Sequence, residues 1–327
     1  MRKHLIFLGI MALLVLFIPF LSLGGSVPEE VFPTESAPSS AISSGAGQAD
    51  SFLLLDESTG KTFSVSDYEY VLGALSTEMP ATFHPEALKA QAVACYTYAY
   101  RLRSVKTDPN APDLTVNTGK YSGYATREAN KLRFGDYYDR YYSLLTAAVD
   151  EVFGVLAVYD GVPIAAAYHS TSPGKTEDAR YIWGNSLPYL QPVESEGDLL
   201  SPHCQTTLTL TRQEAAALLT QNAPESVLSQ DPREWFDPPE KSPSGTVLKQ
   251  MIGGVSWTGI QLRELFSLRS AAFDLSADAD GITFTVYGYG HGVGLSQYGA
   301  DFMGRQGSSW QEILCHYYTG IELIRLD

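Results

Sequence analysis

"SDYEYVLGALSTEMPATFHPEALKAQAVACYTYAYRL", residues 66–102, decides the fold, because it packs two helices around one sharp break. Ser66 and Glu69 stand in capping-box spacing, the signature of a helix start. Tyr68, Val71, Leu72 and Leu75 then recur at helical period. Pro80 biases Met79 away from helical backbone, so the helix is predicted to end near Glu78. Pro85, a good first-turn residue, opens a second helix. Its stripe is Leu88, Ala92, Cys95, Ala99 and Leu102, which places Cys95 on the buried face.

Within this stretch Glu78 stands out. Val71, Leu75 and Glu78 are spaced i, i+4, i+7, so the carboxyl lies along the apolar face of its helix. It also falls in the last turn, where the helix dipole disfavours negative charge. Burial and dipole both raise a carboxyl pKa, and a raised carboxyl is what a general acid at neutral pH requires. The alternative is a helix-end glutamate turned to solvent.

Further along, "FGVLAVYDGVPIAAAY" (153–168) reads as two strands around an Asp160-Gly161 turn. "ITFTVY" (282–287) alternates like a half-buried strand. Ser309 and Glu312 repeat the capping-box spacing, Trp310, Ile313, Leu314 and Tyr317 form a helical stripe, and Gly320 closes it. Residues 198–250 hold a helix near 211–221 and a long Pro-rich excursion. The class is α+β: mixed helices and an antiparallel-rich sheet forming a substrate cleft, preceded by an N-terminal membrane helix.

Arg2, Lys3 and His4 precede "LIFLGIMALLVLFIPFLSL" (5–23), long enough to span a bilayer and free of ionisable groups. Residues 1–23 are therefore an anchor or, alternatively, a cleaved signal segment. The positive flank predicts a cytoplasmic N-terminus with the rest outside. Residues 24–50, rich in Ser, Pro, Gly and Ala, form a flexible linker. Residues 51–327 are the functional domain, one large unit or two intimately packed ones.

With 37 acidic and 22 basic side chains the net charge is −15, which argues against a nucleic-acid partner. Cys95, Cys204 and Cys315 are too few and too scattered for a disulfide framework or a zinc knuckle, and read as small buried hydrophobes. The six histidines show no i, i+4 pairing, so no metal site and no cofactor is assigned.

Two further stretches carry candidate chemistry. "YHSTSPGKTED" (168–178) gathers His169, Ser170, Thr171 and Lys175 after a strand, either to bind sugar hydroxyls or as an ordinary polar loop. "YGYGHGVGLSQYGA" (287–300) surrounds His291 with glycines and continues to Ser296, Gln297 and Tyr298. It lacks the lysine of a phosphate loop, and the chain lacks the G-x-S-x-G elbow of a serine hydrolase. A strand-to-helix turn pressed against a ligand fits, since glycine permits positive φ and close backbone approach.

Taken together, "EMPATFHPEALKAQAVACYTYA" (78–99), "YHSTSPGKTE" (168–177) with "IWGNSLPYLQPV" (182–193), and "GYGHGVGLSQYGA" (288–300) resemble the stage II sporulation protein D family, over residues 62 to 322. The resemblance implies a lytic transglycosylase that cleaves peptidoglycan glycan strands during engulfment. It implies a domain on the outer side of the cell membrane, at the septum, working with a cell-wall amidase and a membrane protein. Glu78 is then the catalytic carboxyl, and His169, Ser170, Thr171, Lys175, His291, Ser296, Gln297 and Tyr298 bind the glycan. A lytic transglycosylase manages with one carboxyl, because the sugar's own 6-hydroxyl is the nucleophile. The same domain also resembles amidase enhancers, which implies a non-catalytic alternative. Three departures stand out. Tyr96 replaces an Arg common in the family, with Arg101 or Arg103 as candidate substitutes. Pro173-Gly174 replaces a Gly-Gly pair. Residues 103–140 lack the Cys and His of the zinc site some members carry.

Overall fold

The computed structural model describes residues 51–326. The anchor and linker expected over 1–50 lie outside the described residues, among which no helix is long and apolar enough to cross a membrane.

Strands β1 (Ser51–Asp56) and β2 (Lys61–Ser66) form an antiparallel hairpin turning at Gly60. The hairpin feeds directly into α1 (Asp67–Glu78), which ends where Pro80 predicts. Half of the expected capping box forms. Ser66 Oγ accepts from the Glu69 N–H at 3.2 Å, and Glu69 takes the Ser66 hydroxyl, while the Ser66 backbone belongs to the β1–β2 ladder. Helix α2 (Pro85–Val105) carries the predicted stripe, with Leu88, Ala92, Cys95 and Ala99 all buried. Burial of Leu75 on α1 and Leu88 on α2 contributes about 2 kcal/mol each to holding the pair together.

Next come β3 (Leu114–Val116), parallel to β1, and helices α3 (Arg127–Phe134) and α4 (Tyr138–Val152), the latter packed on α1 and α2. Then β4 (Val155–Tyr159) turns through Asp160 and Gly161, both at positive φ, as expected of that pair. The second predicted strand is shorter than its apolar run. β5 is only Val162–Pro163; one further bond, from Ile164 N to the Ala157 carbonyl at 3.1 Å, follows before the chain leaves the sheet. β6 (Tyr168–His169) pairs elsewhere, and α5 (Ala179–Trp183) and a single 3-10 turn, Glu196–Leu200, follow.

A second lobe occupies the sequence between the His-Ser-Thr stretch and the glycine-rich stretch. It contains β7 (Gln205–Thr211), α6 (Arg212–Asn222), β8 (Glu240–Lys241), β9 (Val247–Ile252), β10 (Val255–Trp257), α7 (Gly259–Leu265), β11 (Phe273–Ala277) and β12 (Gly281–Tyr287). Two antiparallel sheets, β11-β12-β7 and β10-β9-β8, enclose a core of their own around Trp235, Phe273 and Phe284. The excursion expected over 198–250 thus supplies half of a folded unit.

The chain then returns. β13 (Leu295–Ser296) lies parallel to β6, α8 (Gln297–Arg305) and α9 (Trp310–Tyr317) pack on α2, and β14 (Glu322–Arg325) completes the β14-β4-β5 sheet. The full capping box of Ser309 and Glu312 is present. The class is α+β with small, mostly antiparallel sheets, as expected.

Candidate active site

Glu78 closes α1 half-buried, and its charge is felt by Tyr70, Cys95 and Tyr168. Burial pushes its carboxyl up to about 7, against the lowering effect of a hydrogen bond from the Gly123 N–H. Among the described residues no second carboxylate contributes to that shift. Burial, then the Glu78 charge, push the Cys95 thiol up to about 12. The turn holding Glu78 is braced from α3, where Arg133 donates to the Ser76 carbonyl and Asn130 donates to Ser76 Oγ at 2.9 Å. A cation at a helix C-terminus is favourable, and sequence spacing gives no hint of this one.

A line of polar contacts joins the three motifs. Gln297 Nε2 donates to Gln91 Oε1 at 3.3 Å, Gln91 Nε2 to Cys95 Sγ at 3.3 Å, and the Cys95 thiol to Tyr168 Oη at 3.8 Å. Gln297 starts α8, Gln91 and Cys95 lie one turn apart on α2, and Tyr168 is in β6. The Cys95 face follows from the helical stripe, but its thiol also has a place beside Glu78.

The other candidates fall into three groups. His169 and His291 meet with ring centroids 5.8 Å apart, and Trp183 packs on His291 at 5.1 Å. His169 Nδ1 bonds the Val293 carbonyl at 3.1 Å, while its buried Nε2 has no partner among the described residues. Burial lowers the His169 pKa against the charge of Asp198, and burial first, with the Arg263 charge and the neighbouring His169 ring opposing protonation, drives His291 well below the ordinary range, so both rings are neutral at pH 7. Gly290 permits this approach. Its φ is +113° and a Cβ there would stand 2.8 Å from His169 Cβ. Gly294 is tighter still, its missing Cβ 2.1 Å from the Ala167 carbonyl.

Ser296 and Thr171 are used internally. Ser296 is fully buried, caps α8 by accepting from Gly299 N–H, and donates to Asp198 Oδ1 at 2.5 Å. Asp198 Oδ2 accepts from Ser172 N at 2.8 Å and Ser172 Oγ at 2.5 Å. Thr171 exchanges backbone hydrogen bonds with Tyr289 and is buried. Asp198 therefore staples the two loops together from a 3-10 turn, and sequence reasoning missed it.

Toward the surface, Ser170 offers its carbonyl to the Tyr298 N–H at 3.1 Å, and the Tyr298 ring meets Phe83 at 5.0 Å and His203 at 5.9 Å. Lys175 is partly exposed and paired with Glu194 at 2.9 Å. A pocket between the lobes is lined by Thr171, Lys175, Ser244, Ser270, Tyr287 and His291, among others, and Glu78 is not part of its wall. Among the described residues no cluster of three His, Cys, Asp or Glu is arranged to hold a metal ion.

A sequence model of the Stage II sporulation protein family matches residues 56–159. Stage II sporulation protein D of Bacillus subtilis (strain 168) is 36% identical over 261 residues, covering 79% of this chain and 74% of that protein. The Bacillus amyloliquefaciens protein of the same name is also 36% identical, over 262 residues. The chain belongs to the stage II sporulation protein D family. The Amidase enhancer of Bacillus subtilis (strain 168) is a more distant relative, 27% identical over 307 residues that cover 77% of this chain and 40% of that protein. Membership places the chain in sporulation and in a cell-wall context.

Tyr96 has a local role of its own. Tyr96 Oη donates to Asp67 Oδ2 at 3.2 Å, and Arg103 forks onto both Asp67 oxygens at 2.9 and 3.1 Å. Asp67 opens α1 and Glu78 ends it, about 16 Å apart along the helix axis. Arg101 donates to the Pro163 carbonyl at 2.7 Å. Arg103 thus shares Asp67 with Tyr96 at the start of α1, while Arg101 is held at β5.

Proposed function

We propose that the chain is a lytic transglycosylase of peptidoglycan glycan strands, with Glu78 as acid and then base. The observation that carries this reading is a half-buried carboxyl at the end of α1, beside the Cys95–Tyr168 contact that joins the three motifs, which burial pushes up to about 7. In the proposed reaction protonated Glu78 gives its proton to the glycosidic oxygen and the C1–O bond breaks. The 6-hydroxyl oxygen of the same muramic residue then attacks C1 and passes its proton to the Glu78 carboxylate, leaving a 1,6-anhydro end and consuming no water. The neutral His169 and His291, Ser170, Gln297 and Tyr298 are the groups proposed to hold the strand, while Ser296 and Thr171 hold the loops that carry them. The expected partners are a cell-wall amidase and a membrane protein of the engulfment machinery, with the domain outside the cytoplasmic membrane.

Digestion of purified glycan strands tests this. The full chain is expected to release anhydro-muramic ends, identified by mass spectrometry, and Glu78→Gln to release none above background. Reducing ends in the products would sink the transglycosylase reading. A second reading, a glycan-binding enhancer of a cell-wall amidase, rests on the similarity to the Amidase enhancer. Strands left intact by the wild-type chain, with an added amidase stimulated, would decide for it.

A further inference from the structure

The second lobe brings two arginines to the glycine-rich loop that the proposed chemistry does not use. Arg269 lies over the Tyr289 ring, 5.2 Å from its centroid, and its carbonyl accepts the Gly290 N–H at 3.0 Å. Its Nη1 contacts His203 Nδ1 at 2.7 Å. Arginine has no acceptor atom, so His203 must accept there and carry its proton on Nε2. Burial and the Arg269 charge both lower the His203 pKa, in keeping with that neutral ring. His203 thus offers a fixed N–H donor beside a guanidinium. It also meets Tyr298 and, through Tyr298, Phe83 in the loop that follows Glu78.

Arg263, in the last turn of α7, is half-buried, and its charge reaches His291 and Tyr289. Among the described residues neither Arg263 nor Arg269 forms an ion pair, although the chain carries fifteen more acids than bases. The acid that Arg263 senses is its chain neighbour Glu264. Of the other partly buried cations, Lys89, Arg103 and Lys106 are each paired with a carboxylate, and Arg101 and Arg133 donate to backbone carbonyls. A half-buried guanidinium without a counter-charge is costly to the folded chain and ready for an anion.

We infer that Arg269, with His203 and Arg263 beside it, forms a carboxylate-binding subsite on the second lobe, seating an acidic sugar of the strand next to the glycine-rich loop. The inference rests on the glycan reading above. The guanidinium fork and the His203 N–H supply charge-assisted donors to a planar carboxylate, and Tyr289 and Tyr298 offer ring faces to the sugar. The carboxylate comes either from the lactyl group of the sugar itself or from the free end of a peptide attached to it.

Calorimetric titration of the full chain with three tetrasaccharides tests the assignment: one with free lactyl acids, one with those acids as primary amides, one with them capped by L-alanine. A carboxylate-bearing form is expected to bind at least about tenfold tighter than the amide. Tight binding of the free acid places the recognised group on the sugar, and tight binding of only the alanine form places it on the peptide. Arg269→Gln is expected to abolish the preference while binding the amide form as the wild type does, which shows the loop is intact. Arg269→Lys is expected to keep part of it. Equal binding of all three forms by the wild type, or a preference that survives Arg269→Gln, overturns the subsite and leaves the glycan reading standing. A wild-type chain that binds none of them overturns both.

Discussion

The surroundings of Glu78 and of Asp198 treat the same functional group in opposite ways. Glu78 receives one backbone hydrogen bond and otherwise faces phenols and a thiol that cannot compensate its charge. Asp198 receives three donors, from Ser172 N, Ser172 Oγ and Ser296 Oγ, and is sealed from water. A carboxylate with its lone pairs filled is a structural tie. One left short of donors keeps its proton to near pH 7 and can give it away. Burial alone does not nominate a catalytic acid; the count of donors around it does.

The contrast can be broken first at Glu78. Glu78→Gln is expected to slow release of anhydro-muramic ends by about a thousandfold, within the usual range for loss of a general acid–base group, while the protein melts no lower than the wild type. A variant with unimpaired turnover would show that the acid lies elsewhere. At the other carboxyl, Asp198→Ala leaves three buried donors without an acceptor and is expected to cost about 3 kcal/mol in urea unfolding. Asp198→Asn, which keeps one acceptor oxygen, should cost less. An Asp198→Ala chain as stable as the wild type would mean that the tie holds nothing.

The next test uses pH. The Glu78 pKa rises on folding from 4.5 to about 7, so the native state holds more protons than the unfolded state between those values. Stability from this group is fully present below 4.5 and is lost as pH rises through 7, by up to about 3 kcal/mol. Unfolding of wild type and Glu78→Gln at pH 5 and pH 8 should show the wild type losing more stability across the interval. Parallel losses would remove the raised pKa from the account. The smallest effect is expected outside both regions. Tyr96→Phe removes one of the bonds to Asp67 and leaves the Arg103 fork, for about 1 kcal/mol, with strand cleavage unchanged. Reduced cleavage would mean that the Tyr96 end of α1 does communicate with Glu78.

Local signals were legible and distant ones were not. Ser309 with Glu312, Pro80, Pro85 and Asp160-Gly161 each act within a few residues, and the structure follows them. The second helix near 211–221 is found at Arg212–Asn222. The stripe on α2 correctly buried Cys95, but periodicity says nothing about which residues sit across from it, so its contact with Tyr168 stayed hidden. Asp198 had no local cue at all, because its partners lie 26 and 98 residues away. The second lobe escaped for a similar reason. Its sheet pairs β12 with β7 across some seventy residues, and the intervening prolines looked like loop. At the candidate site, the motif residues were identifiable as a set, but not the division between those that face outward and those, like Ser296, that are spent on the scaffold.

The Asp198 tie also sets an order of assembly. Glu78 and its helix pair come early in the chain, but the Ser296 hydroxyl emerges from synthesis 98 residues after the carboxylate that receives it, with the whole second lobe in between. The seam is the last of these parts that can close. A chain cut short of it has the helix pair of Glu78 but not the closed seam between the His169 and His291 loops.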